Sequence, residues 1–182
     1  MQKNIGKNSS TKQYSAEEFK SLLGKMQYIK TKRETSQWDV IFASAKLLDI
    51  GSTSIVKTGG EGSANSILDK IERRDEAIAK NWAYSTIENL IMESFYIINP
   101  QYRIYVYDLY IKPDKRRLRN SPAAEAERYG YDRRVFVPQL NDAINEAVST
   151  SRVRCILDEV KNIALENDIK ELINMYSKEE SR

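Results

Sequence analysis

The sequence predicts an all-α fold: a helical bundle that carries a helix-turn-helix and ends in a trailing helix. Three observations lead there. Proline and glycine number only four and seven in 182 residues, so little interrupts helix formation. Apolar residues recur at three- and four-residue spacing along most of the chain. Serine, aspartate and glycine stand where helices need caps and stops.

In chain order, Met1 to Tyr14 is polar, carries Lys3, Lys7 and Lys12, and reads as a disordered tail over 1–14 rather than a secretory signal. An N-terminal helical segment is expected over 15–50. Ser15 and Glu18 have capping-box spacing, and Phe19, Leu22, Leu23 and Met26 form one stripe. A second apolar stripe, Trp38, Ile41, Phe42, Ala45 and Leu48, runs to Gly51. Residues 51–65 read as a flexible linker, because four of the seven glycines fall between Gly51 and Ser66. A phosphate-binding glycine loop is disfavoured there, since neither GxxxxGK[ST] nor GxGxxG is present.

Residues 66–150 read as a DNA-binding domain. A long helix should start near Asn65 or Ser66, with Ile67, Ile71, Ile78, Trp82, Ile87, Leu90, Ile91 and Phe95 as its stripe, and stop at Asn99-Pro100. Gln101 to Ile111 has strand-forming residues, yet Tyr102, Val106, Leu109 and Tyr110 share a helical face. The expectation is a helix closed by Pro113. Ser121 to Gly130 reads as a short helix, with Ser121 as N-cap, Pro122 in the first turn and Gly130 as stop. The C-terminal segment, 151–182, should hold a helix over about 152–176 with Val153, Ile156, Leu157, Val160, Ile163, Ala164, Leu172, Ile173 and Tyr176 inward. That stripe closes the core or forms a dimer interface. Whether 138–176 is one helix or two broken near Ser149 to Ser151 is left open. Cys155 is expected to be a buried, inert thiol on the same stripe.

Composition narrows function. The chain has no histidine and one cysteine, which removes Ser-His and Cys-His nucleophiles and the usual zinc ligand sets. No nucleophile motif or metal cluster is visible, so no enzyme activity, cofactor or small-molecule substrate is expected. Carboxylate-only magnesium chemistry is chemically open but nothing points to it. A lone cysteine fits a reducing, cytoplasmic setting, and no apolar run is long enough to span a membrane. The net charge is only +3, so the distribution of charge must decide about nucleic acid.

That distribution singles out Ala124 to Ala143. A helix-turn-helix needs a small residue where its helices approach, and Ala126 supplies it. Four residues on, Gly130 allows a left-handed turn. Asp132 then caps the second helix, and Val135, Phe136, Leu140 and Ala143 can lock it onto the first. Arg133, Arg134 and Gln139 are left outward, with Asn141 more marginal. Arginine pairs with guanine, and glutamine or asparagine with adenine, in the major groove. The preceding segment is basic: Lys112, Lys115, Arg116, Arg117 and Arg119 would contact phosphates. Arg103 to Arg134 holds nine basic residues against five acidic. Pro138 leaves two alternatives: it kinks the second helix, or that helix begins near it and 132–137 is a turn. The competing structural reading is a plain helical hairpin with solvated arginines.

These residues carry a resemblance. The region from about Ser52 to Val148 resembles the ArpU/RinA-type regulators encoded by phages and prophages of Gram-positive bacteria, which share their layout with the C-terminal DNA-binding region (region 4) of sigma factors. The likeness rests on the Thr53-Ser-Ile linker before the helix containing Ile67, and on Ile98-Asn-Pro-Gln-Tyr-Arg leading to Tyr110-Ile111. It rests above all on Tyr129-Gly-Tyr-Asp-Arg-Arg-Val-Phe followed by Leu140 and Asn141-Asp-Ala143. Asp132 stands where the family usually has serine, Pro138 departs from its pattern, and the helix after 150 is an addition. The resemblance implies control of late genes for packaging, morphogenesis and lysis, through double-stranded promoter DNA and host RNA polymerase, inside the bacterial host cell. A homodimer would suit a palindromic site. The rival function is a phage-encoded module that captures a host or phage protein with its long amphipathic helices.

Overall fold

The computed structural model describes residues 14–53, 61–112 and 121–177, with side chains described for 14–48, 67–112 and 121–175. Those residues form α-helices and one π-helical turn, with no strand among them. The all-α expectation therefore holds. The polar tail and the greater part of the basic segment lie outside the described residues.

Helix α1 spans Ala16–Gly24 and opens on the capping box that the sequence announces. The Ser15 hydroxyl accepts from the Glu18 amide at 3.1 Å, and the Ser15 amide donates to Glu18 Oε2 at 2.6 Å. Helix α2, Met26–Thr53, follows almost without a break, and α3 spans Glu61–Ile97. The two run antiparallel, their register fixed by the Arg33–Glu88 ion pair at 3.1 Å and by Ser36 Oγ donating to Asn81 Oδ1 at 3.2 Å. Residues 51–53 thus belong to α2 and 61–65 to α3, so the expected linker shortens to the segment between the two helices.

Helix α4, Pro100–Val106, starts on an Asn99 cap and passes into the π-helical turn Tyr107–Ile111. Helices α5, Pro122–Arg128, and α6, Arg133–Ser149, follow. Thr150 ends α6 and begins α7, Ser151–Glu166: its hydroxyl donates to the Ala147 carbonyl at 2.7 Å and accepts from the Val153 amide at 3.3 Å. That settles the open question near residue 150 as a break. The trailing helix is itself divided. Asp168 adopts φ 48°, and α8 begins only at Lys170 and runs to Ser177.

The core is built where α1, the base of α2, the second half of α3, α6 and α7 meet. Phe19, Leu22, Leu23, Ile29, Ile87, Ile91, Leu140, Ile144, Ile156 and Leu157 are fully buried in it. The α7 stripe closes this core, and Leu172 of α8 joins it. Two expectations are corrected. Cys155 is exposed, because it falls on the opposite side of α7 from Val153, Ile156 and Val160. The stripe Trp38, Ile41, Phe42 and Leu48 is also exposed, as are Ile78 and Trp82 on α3. Helix α2 meets α3 through the face carrying Arg33, Ser36, Val40, Ala43 and Leu47. The larger apolar side chains lie about half a helical turn away from that face.

Candidate nucleic-acid interface

The site is assembled around the turn between α5 and α6. Ser121 caps α5, its hydroxyl accepting from the Ala124 amide at 3.2 Å, and Pro122 occupies the first turn. At the other end the Tyr131 amide donates to the Ala126 carbonyl at 2.8 Å, and the Gly130 amide to the Glu127 carbonyl at 3.2 Å. This pair of bonds is the Schellman arrangement. It requires a left-handed residue, and Gly130 has φ +73°. Ala126 is fully buried, as close approach of two helices demands. Asp132 caps α6, its Oδ1 accepting from the Arg134 amide at 2.8 Å.

An aromatic cluster holds the turn against α4. Tyr105 meets Tyr129, Tyr131 and Phe136 edge to face, with centroids 5.1, 6.0 and 4.9 Å apart. Tyr131 stacks on Phe136 at 5.3 Å. The Tyr105 and Tyr131 hydroxyls lie 2.9 Å apart. This hydrogen bond, together with burial, pushes the Tyr105 phenol up to about 12. Arg128 does not join the basic surface: its guanidinium lies over the Tyr129 ring and is paired with Asp108 at 3.7 Å and Glu125 at 3.6 Å. The sequence did not reveal this cluster, since tyrosines at helical spacing read only as general packing.

Helix α6 runs unbroken from Arg133 to Ser149 with Pro138 inside it. The alternative in which 132–137 is a turn is therefore not the one adopted. Proline has no amide for the Arg134 carbonyl, and Pro138 is exposed, so solvent can serve that carbonyl instead. Phe136, Leu140, Ala143, Ile144, Ala147 and Val148 bury one side of the helix.

The expected contact residues separate into three groups. Arg133 and Arg134 are exposed at the α6 N-terminus. Among the described residues neither guanidinium has an ion-pair or hydrogen-bond partner. The helix's own unpaired amides and dipole add positive potential at that end. Gln139 is exposed, but its Oε1 accepts from Tyr102 Oη at 3.2 Å. It lies in a cleft of about 270 Å³ with Gln101, Tyr131 and Val135, and its amide NH2 remains available as a donor. Asn141 is half-buried and turns toward α1, where its Oδ1 accepts from Lys20 Nζ at 3.4 Å. Lys115, Arg116, Arg117 and Arg119 lie outside the described residues, and Lys112, at the end of the π-helical turn, is exposed. Farther along α6 the outer face turns acidic, with exposed Asp142 and Glu146. Along α6, favourable potential for a polyanion is thus confined to the first turn.

No protein-family model matches the chain, and no curated protein or solved structure shows significant similarity to it. Among the described residues no helix is long and apolar enough to cross a membrane.

Proposed function

We propose that the chain is a sequence-specific DNA-binding regulator of phage or prophage late genes, acting at promoter DNA together with host RNA polymerase. The single observation that carries DNA binding is the pair Arg133 and Arg134. Both are exposed and unpaired among the described residues at the N-terminus of α6, directly after a tight glycine corner and an aspartate cap. The N-terminal end of a recognition helix is where side chains reach base edges. Gln139 is exposed farther along the same helix, and the basic run from Lys112 to Arg119 supplies phosphate contacts from the approach. The phage setting and the polymerase partnership rest on the resemblance to ArpU/RinA-type regulators.

Selection of bound duplexes from a random pool at moderate salt tests the reading. One enriched sequence is expected, and enrichment of none would overturn it. Arg133→Ala with Arg134→Ala should then abolish specific binding with helicity unchanged; retained affinity would count equally against it. Arg116→Ala with Arg117→Ala should weaken all DNA alike and lower the slope of log K against log salt by about 2.

A second reading has its own observation. Trp38, Phe42 and Trp82 are exposed on the long helices α2 and α3, as a module that captures another protein would present them. A stoichiometric protein partner combined with a negative gel shift would favour it.

A further inference from the structure

The distal half of the α2–α3 hairpin presents apolar side chains that no other described residue covers. Trp38 and Phe42 are each 60 % exposed, Leu48 76 % and Trp82 59 %, with Ile41, Leu68 and Ile78 near one half. The register set by Arg33–Glu88 and Ser36–Asn81 brings Trp38 and Ile41 level with Ile78 and Trp82, and Leu48 level with Leu68. One flank of the hairpin is a groove lined by Asp39, Phe42, Lys46, Lys70 and Arg73. Helical phase places Ile41, Leu48, Ile78 and Trp82 on the other flank. Toward the base the chain has no such gap, because Leu22, Ile29, Ile87 and Ile91 are fully buried.

We infer that this surface pairs with a second copy of the chain, two hairpins closing into an intermolecular four-helix arrangement. Area is the first argument. Without Phe42, the exposed parts of these side chains come to roughly 700 Å², close to what each partner of a specific dimer contributes and more than a monomer usually leaves in one patch. Second, no described residue covers these side chains. Charge is the third. Residues 61–82 hold four basic and five acidic side chains, and 38–53 one basic and two acidic. A near-neutral rim of mixed sign tolerates its own copy across a two-fold axis. It lacks the lysine and arginine excess that an anionic lipid surface would select.

The inference stands apart from DNA binding, and its test needs no DNA. Trp38 and Trp82 are the two tryptophans of the chain, and both lie on the surface in question. Sedimentation of the full chain should show a monomer–dimer equilibrium. Tryptophan emission should shift to shorter wavelength as concentration rises through that equilibrium. Ile41→Glu with Ile78→Glu should raise the dimer Kd by about 100-fold or more, because it places charge in a dry contact, and should hold emission at the long-wavelength limit with unchanged circular dichroism. Leu48→Lys with Leu68→Lys, at the other end of the patch, gives an independent pair should the first fold poorly. A wild-type chain that stays monomeric up to about 100 μM, near a weak interaction of 5–6 kcal/mol, would overturn the inference. So would a dimer untouched by either well-folded double variant, or a monomer that binds lipid vesicles or a different protein through this face.

Discussion

The hydroxyls of Tyr105 and Tyr131 lie 2.9 Å apart, joining α4 to the turn that presents Arg133 and Arg134. Tyr105 is buried while Tyr131 is exposed, so the inner ring anchors the outer one. Tyr105→Phe keeps the three edge-to-face contacts and removes only the hydroxyl pair. It should cost about 1 kcal/mol, measured by urea denaturation. Tyr105→Ala removes the rings' shared neighbour and should cost about 3–4 kcal/mol. If DNA is read as proposed, Tyr105→Ala should also weaken specific binding without touching a base-contacting side chain. Equal stability of the two variants would show that the ring contacts contribute nothing.

What was legible in the sequence was local. Ser15 with Glu18, Ser121 with Pro122, Gly130 and Asp132 each satisfy a backbone requirement of their own turn. Such requirements need no knowledge of the rest of the fold. The faces of α2 were not legible, because partner choice is tertiary. Close packing of α2 on α3 selects Ser36, Ala43 and Ser44, whereas a hydrophobic stripe draws attention to Trp38 and Phe42. Asn141 misled for the same reason: helix spacing put it near the outer face, but α1 approaches from that side and Lys20 reaches it. The aromatic cluster joins Tyr105 to residues beyond the basic segment, and no short-range pattern announces it.

The two left-handed residues among those described make a matched test. Gly130 and Asp168 both close Schellman turns, at φ +73° and 48°. A Cβ on Gly130 would meet nothing within 4 Å, so Gly130→Ala adds backbone strain without a clash. It should destabilise the chain by about 1–2 kcal/mol. At Asp168 the strain is already present. There the Ile169 amide donates to the Ala164 carbonyl at 2.9 Å, completing the turn. Asp168→Gly should therefore stabilise by about 1 kcal/mol. Thermal unfolding of both variants checks the signs, and a stabilising Gly130→Ala would contradict the turn geometry.

Pro138 is a local cost in a helix held by its other face. Phe136 and Leu140 flank it and are buried, while Pro138 itself is exposed. Pro138→Ala supplies the missing amide to the Arg134 carbonyl and relieves the ring's clash with the preceding turn, and should stabilise by about 2–3 kcal/mol. Arg133 and Arg134 precede the proline by little more than one turn of helix. If the proline sets the angle at which they meet DNA, specific affinity should fall even as the melting temperature rises. A variant that gains stability and keeps full affinity would show that the proline plays no part in recognition.

High pH should unfold the chain cooperatively. Burial raises the phenols of Tyr14, Tyr28, Tyr84 and Tyr110 above 10.0, and the bond to Tyr131 raises Tyr105 to about 12. Tyr14 also donates to Asp158, and Tyr28 to Glu171, whose carboxyl this bond holds below its usual value. Each of these phenols has a folded pKa above its unfolded value. Its contribution is therefore fully present below pH 10 and is lost as the pH climbs from there through the folded values. Urea midpoints should stay flat on this account between pH 8 and 9, then fall steeply above pH 10. The phenolate absorbance of Tyr14, Tyr28, Tyr84, Tyr105 and Tyr110 should rise with loss of helicity rather than before it. Smooth ionisation of these five phenols near pH 10 with helicity intact would mean that their hydroxyls are open to solvent, contrary to the bonds of Tyr14 to Asp158 and of Tyr28 to Glu171.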